Sequence, residues 1–90
     1  MNVCVTISFR NPGDTLGTTP RLWQKRFDWT AIPAEGATVM MHDEGGWSEK
    51  VERVWWSAES GEVTVELEDC VDTFGEGLEE SLPALQWRRV

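Results

Sequence analysis

The residues that could carry out chemistry in this sequence are two cysteines, Cys4 and Cys70, and a single histidine, His42. A zinc site needs four ligands at a recognisable spacing, and this set does not supply them, so we predict no metal and no cofactor. Nothing in the sequence indicates secretion, so we expect both thiols to stay reduced rather than to join the first strand to the end of the fifth. Cys4 and His42 could form a nucleophile pair, but no group that would orient the histidine is evident. We therefore predict no catalytic residues and no enzymatic activity.

Tryptophan is the more informative residue type, because the chain has six Trp, three Phe and no Tyr. Trp55 and Trp56 are adjacent in a predicted strand, and neighbours on a strand point to opposite faces. One indole must therefore leave the core, where it is either covered by residues 74–87 or open to a partner. Trp47 joins them as a candidate partner-binding residue, and with the outward indole it could also form an aromatic cage for a methylated cation. We predict that Trp47, Trp55 and Trp56 form a docking face for a protein partner or a second copy.

Charge is the other prominent feature, with 16 acidic and eight basic residues and a formal net charge of −8. A chain of this kind is poorly suited to bind a phosphate backbone, so we predict no direct nucleic-acid binding. The acids concentrate in the second half, and such a surface either keeps a protein soluble or meets a basic partner. The candidate acidic surface consists of Glu62, Glu66, Glu68, Glu76, Glu79 and Glu80. The alternative function is therefore an acidic inhibitor that mimics DNA, of the kind phages use against host defence, and that blocks a basic nucleic-acid-binding protein.

Hydrophobic alternation predicts five strands that position these side chains. They span residues 2–10, 22–29, 38–42, 47–57 and 62–68. The second strand is expected to pair back on the first. Val51 and Val54 are three residues apart, so a β-bulge near Glu52 and Arg53 is needed to bring both to one face. After Asp69 the alternation ends in an acidic, irregular segment. No apolar run is long enough for a membrane helix, so we expect a cytoplasmic protein without membrane contact.

Residues 32–68 also carry a recurring pattern of Pro, Gly, Trp and Val. Its positions are Pro33, Gly36, Val39, Trp47, Val51, Val54, Trp56, Gly61, Val63, Val65 and Leu67. This pattern resembles the core of SH3-like barrels and is similar to small proteins of bacterial and phage genomes. The resemblance implies a barrel used for binding and brings no catalytic residues.

The strand pattern itself also favours closure, because a five-stranded sheet with one apolar face must cover that face. We therefore predict an all-β chain forming a single domain over residues 1–90. Its fold is expected to be a small five-stranded SH3-like barrel with an irregular acidic C-terminal segment. The predicted function is a non-enzymatic protein-binding module.

Overall fold

A computed structural model describes residues 2–13, 19–42, 47–71 and 77–90 of the chain. These residues form seven strands and one short helix. The strands are β1 (Asn2–Arg10), β2 (Arg21–Asp28), β3 (Thr38–His42), β4 (Trp47–Trp56), β5 (Val63–Leu67), β6 (Cys70–Val71) and β7 (Arg88–Arg89), and the helix is α1 (Leu78–Ser81). The five predicted strands correspond to β1 to β5 with ends that differ by one residue at most.

Strand β1 lies near the middle of one mixed sheet whose order is β3-β4-β5-β1-β2-β7. On one side β2 runs antiparallel to β1, with Ile7 opposite Trp23. On the other side β5 runs parallel to β1, with Val5 beside Val65. β6 follows β5 along the same side of β1, and β7 pairs with the outer side of β2.

The predicted all-β class is confirmed, but the five-stranded barrel is not supported because the sheet is open. β3 and β7 lie at its two ends in the strand order of the described residues. The antiparallel run β3-β4-β5 agrees with the meander expected over this part of the chain. The difference lies in the parallel pairing of β5 with β1. Alternation of apolar residues determines which face a side chain occupies, but it does not determine which strand lies alongside.

The apolar face of the sheet is built on β1, whose odd-numbered side chains are fully buried. They are Val3, Val5, Ile7 and Phe9. Full burial of one such side chain stabilises the fold by about 1.5–3 kcal/mol. Val63, Val65 and Leu67 continue this face onto β5 and are also buried.

Strand β4 contributes to the same face through a β-bulge. The pairing of β4 with β5 shifts register between Val51 and Arg53, which confirms the predicted position. Val51 is buried and Val54 packs partly against the core, although three residues separate them. The extra residue therefore resets the alternation after Val51.

The C-terminal residues cover the β2 side of this face. Leu82 and Trp87 are buried, and the Trp87 ring meets Phe27 edge-on with 6.1 Å between centroids. The segment turns back at Gln86, where the Trp87 N–H donates to Leu82 O at 3.0 Å and the Gln86 N–H donates to Pro83 O at 3.1 Å. This is the Schellman pattern of a helix C-terminus, with Gln86 at a φ of 69° where glycine is usual.

Candidate protein-binding surface

The end of β4 presents two adjacent indoles. Trp55 is 41% exposed and Trp56 is 61% exposed. Trp55 is aligned with Thr64 and Trp56 with Val63, so the two indoles lie on opposite faces of the sheet. We call the exposed end of β4, with Trp55 and Trp56, the Trp docking surface.

The sequence predicts that one of the two indoles leaves the core. In the structure both are exposed. Cover by the C-terminal residues was one of the two expectations for the outward indole. Those residues instead contact β2, through Glu79 with Trp23 and through Leu85 with Lys25. In the sheet order β2 is separated from β4 by β1 and β5. The described C-terminal cover thus lies over the other half of the sheet.

Trp55 is held in place by a charged neighbour. The Arg53 guanidinium lies over the Trp55 ring, 4.9 Å from its centroid. Arg53 also donates two hydrogen bonds to Oε2 of Glu66, at 2.8 and 3.1 Å. The hydrogen bond with Glu66 raises the pKa of Arg53. Arg53 therefore restrains the indole through a cation–π contact.

The backbone of β4 is also open on one side at this end. β3 pairs with β4 only as far as Lys50, and the last contacts on that side join Val51 to Gly36 and Ala37. Beyond them, the Val54 N–H donates to Oε1 of Glu35 at 3.4 Å. No strand pairs with this side of residues 52–56 among the described residues. An unpaired strand edge of this kind can accept a further chain.

The predicted acidic surface is largely neutralised or buried. Glu62 forms an ion pair with Arg26 at 2.9 Å, and Glu66 pairs with Arg53 at 2.8 Å. Glu79, which was placed on this surface, is 0% exposed, so that part of the prediction is wrong. Glu68 and Glu80 are exposed. Glu76 lies outside the described residues, as does the side chain of Trp47.

Glu79 is buried because it has two partners on β2. Its carboxylate accepts hydrogen bonds from Nε of Arg21, at 2.9 Å to each oxygen, and from Nε1 of Trp23 at 2.7 Å. Arg21 and Trp23 are two residues apart and so project from the same face of β2. An arginine on the same face as a core tryptophan favours an acidic partner, but the sequence does not indicate which acid provides it.

The fold does not bring together the residues that could carry out chemistry. Cys4 is beside Thr64 and Cys70 is beside Phe9, so the cysteines lie about 17 Å apart along β1, well beyond the reach of a disulfide. β4 and β5 separate β3, which ends at His42, from Cys4 on β1. Burial raises the pKa of the Cys4 thiol; nearby Arg26 opposes this shift and Glu62 adds to it. Within the described residues no group of His, Cys, Asp and Glu side chains is placed to hold a metal ion.

A basic pocket lies beside the β2–β7 edge. Its volume is about 340 Å³, and it is lined by Gln24, Lys25, Arg26, Gln86 and Arg88. We call this the basic pocket. Lys25 donates to Leu85 O at 2.8 Å, and Arg26 is the ion-pair partner of Glu62. The pairing of β2 with β7 thus brings together basic residues that are far apart in the sequence.

Comparison of the chain with protein-family models, curated proteins and solved structures finds no match. None of the helices in the described parts of the chain is long and apolar enough to cross a bilayer.

Proposed function

We propose that this protein is a non-enzymatic binding module that docks on a protein partner through the Trp docking surface. The observation that carries the proposal is the exposure of two adjacent indoles, Trp55 at 41% and Trp56 at 61%. Tryptophan is enriched at the energetic centres of interfaces, and each exposed indole offers a large apolar area on its own face of the sheet.

Two further features support this role. The cation–π contact with Arg53 restrains Trp55, which lowers the entropy lost when the indole is immobilised in a complex. The open side of β4 offers backbone hydrogen-bonding groups next to Trp56, so a partner segment could add both a strand and side-chain contacts. β4 belongs to the part of the chain that resembles SH3-like barrels, and we propose that the binding role implied by that resemblance belongs to this region. We also propose a cytoplasmic location, which would keep both thiols reduced.

The alternative function, an acidic inhibitor that mimics DNA, has less support. A mimic needs uncompensated negative charge along a surface. Glu62 and Glu66 are each paired with an arginine, and Glu79 is buried. The charge available from the proposed set is therefore smaller than the sequence suggested.

The test begins with a photo-crosslinking residue introduced at Ala58, an exposed position in the turn that follows Trp56. The matched control places the same residue at Met40, which is 57% exposed on β3. The proposal predicts a crosslinked protein partner from position 58 in the source cell and none from position 40. The partner is then purified and must bind the purified protein directly. Absence of a specific adduct at position 58, or a partner bound equally well by a Trp55→Ala/Trp56→Ala variant, would refute the proposal.

A further inference from the structure

The basic pocket keeps positive charge that no acid in the described residues neutralises. Arg26 is balanced by Glu62, whereas Lys25 donates only to a neutral carbonyl, Leu85 O. Arg88 is exposed and has no ion-pair partner in the described parts of the chain. Lys25 and Arg88 therefore give the pocket an excess of positive charge.

Gln86 lines the pocket and adopts a left-handed backbone conformation that favours glycine. Its φ of 69° is left-handed, and glycine is the usual residue at this position of a Schellman motif. Glycine there would relieve the strain, yet the position holds Gln86, one of the residues that line the pocket. The strained glutamine thus contributes to the shape of the cavity, as strained residues often do at ligand sites.

The Trp docking surface has the opposite charge. Glu35, Glu52 and Glu59 are exposed around the end of β4, and none of them has an ion-pair partner among the described residues. Glu35 reaches the Val54 N–H, Glu52 lies at the bulge, and Glu59 lies in the turn after Trp56. Three carboxylates without an ion-pair partner in the described residues therefore lie near the end of β4, where the neighbouring cation Arg53 is paired with Glu66.

We propose that the Trp docking surface of one copy binds the basic pocket of a second copy, head to tail. This inference rests on the proposed function and names the partner as another molecule of the same chain. The face of an indole attracts a guanidinium, and Arg88 offers one at the pocket. The carboxylates around the indoles face Lys25 and Arg88 across the contact, which gives charge complementarity.

The two surfaces cannot meet within one molecule. The pocket lies at the β2–β7 edge and the indoles lie on β4, with β5 and β1 between the two strands. In a pair joined this way, one copy keeps an unused basic pocket and the other keeps an unused Trp docking surface, so the contact can repeat in a ring or a filament. Because the indoles lie on opposite faces of the sheet, one pocket contacts one indole, and this small interface is expected to give transient association.

The experiment is sedimentation velocity on the purified full chain, over a concentration series up to about 1 mM. It is repeated at about 10 mM and about 150 mM ionic strength, where the Debye length falls from roughly 30 Å to 8 Å. Wild type should associate reversibly at one or both ionic strengths, because salt screens the repulsion between two copies of net charge −8 as well as the attraction at the contact. A chain that stays monomeric throughout the series would overturn the inference.

Charge-reversal variants locate the contact. Arg88→Glu in the pocket and Glu52→Lys beside the indoles should each weaken association tenfold or more, and so should Trp56→Ala. The matched controls Lys50→Glu and Glu68→Lys make the same changes in net charge at other exposed positions and should change it less than threefold. Mixing Arg88→Glu with Glu52→Lys should restore association, because each variant then offers a complementary surface to the other. Equal loss in variants and controls, or no recovery on mixing, would contradict the proposed contact.

The outcomes also separate this inference from the proposed function. If the purified chain is monomeric but a crosslinked partner still requires Trp55 and Trp56, the self-association fails and the binding role stands. If neither self-association nor a partner depends on these indoles, both proposals fail.

Discussion

Replacement of Glu79 by alanine tests whether the buried carboxylate fastens the C-terminal cover to the sheet. Glu79 is 0% exposed, and its ion-pair partner Arg21 has a side chain that is 19% exposed. The substitution removes the acceptor of the Arg21 guanidinium and of the Trp23 indole N–H. Arg21 then remains as a largely buried charge without this partner. Removal of one member of a buried ion pair costs about 3–5 kcal/mol.

This loss is large for a chain of this size. Stabilities of about 0.05–0.15 kcal/mol per residue correspond to a total of about 5–13 kcal/mol here. Urea unfolding followed by circular dichroism should therefore show a much lower midpoint for Glu79→Ala. The matched control is Glu80→Ala, because Glu80 is the next residue of α1 and is exposed. That control should change the free energy of unfolding by less than about 0.5 kcal/mol.

A double variant separates the ion pair from the packing around it. In Arg21→Met/Glu79→Leu both charges are replaced by apolar side chains, and such replacements are often neutral or stabilising. We expect the double variant to be more stable than Glu79→Ala. If Glu79→Ala lies within about 1 kcal/mol of wild type, or loses no more than Glu80→Ala, the carboxylate does not hold the cover in place.

Two further predictions concern the C-terminal turn and the thiols. Gln86→Gly should raise the free energy of unfolding by about 0.5–1 kcal/mol in urea titrations, because Gln86 has a φ of 69°; a loss of stability would contradict this account of the turn. Cys70 should react with a thiol reagent before Cys4, since Cys4 is buried and burial raises its pKa, so its thiolate forms only at higher pH. Mass spectrometry of partly labelled protein at neutral and at alkaline pH measures this order, and faster labelling of Cys4 would count against its burial.

The strands were predictable because a strand with one buried face shows apolar residues alternating with polar ones along its own sequence. Val63, Val65 and Leu67 alternate with polar residues, and all three are buried as expected. The bulge after Val51 was predictable for the same reason, since two apolar residues three apart cannot share a face without it.

The sheet order was not predictable, because nothing in the β1 sequence distinguishes a parallel from an antiparallel neighbour. The alternate buried residues of β1 are compatible both with the antiparallel pairing to β2 and with the parallel pairing to β5. The same limit explains Glu79. Its acidic surroundings in the sequence indicate a solvated residue, and only the docking of α1 against Arg21 and Trp23 shows otherwise.

The central claim is that a partner contacts the exposed indoles of β4, and the most direct measurement is the affinity of the purified pair. Isothermal titration calorimetry compares the affinities of the purified partner, identified by crosslinking, for wild type, Trp56→Ala and Met40→Ala. A tryptophan at an energetic centre contributes about 2 kcal/mol or more, so Trp56→Ala should raise the dissociation constant roughly 30-fold. Met40→Ala, with its exposed side chain on β3, should change it less than about twofold. Equal affinities for all three proteins would contradict the account.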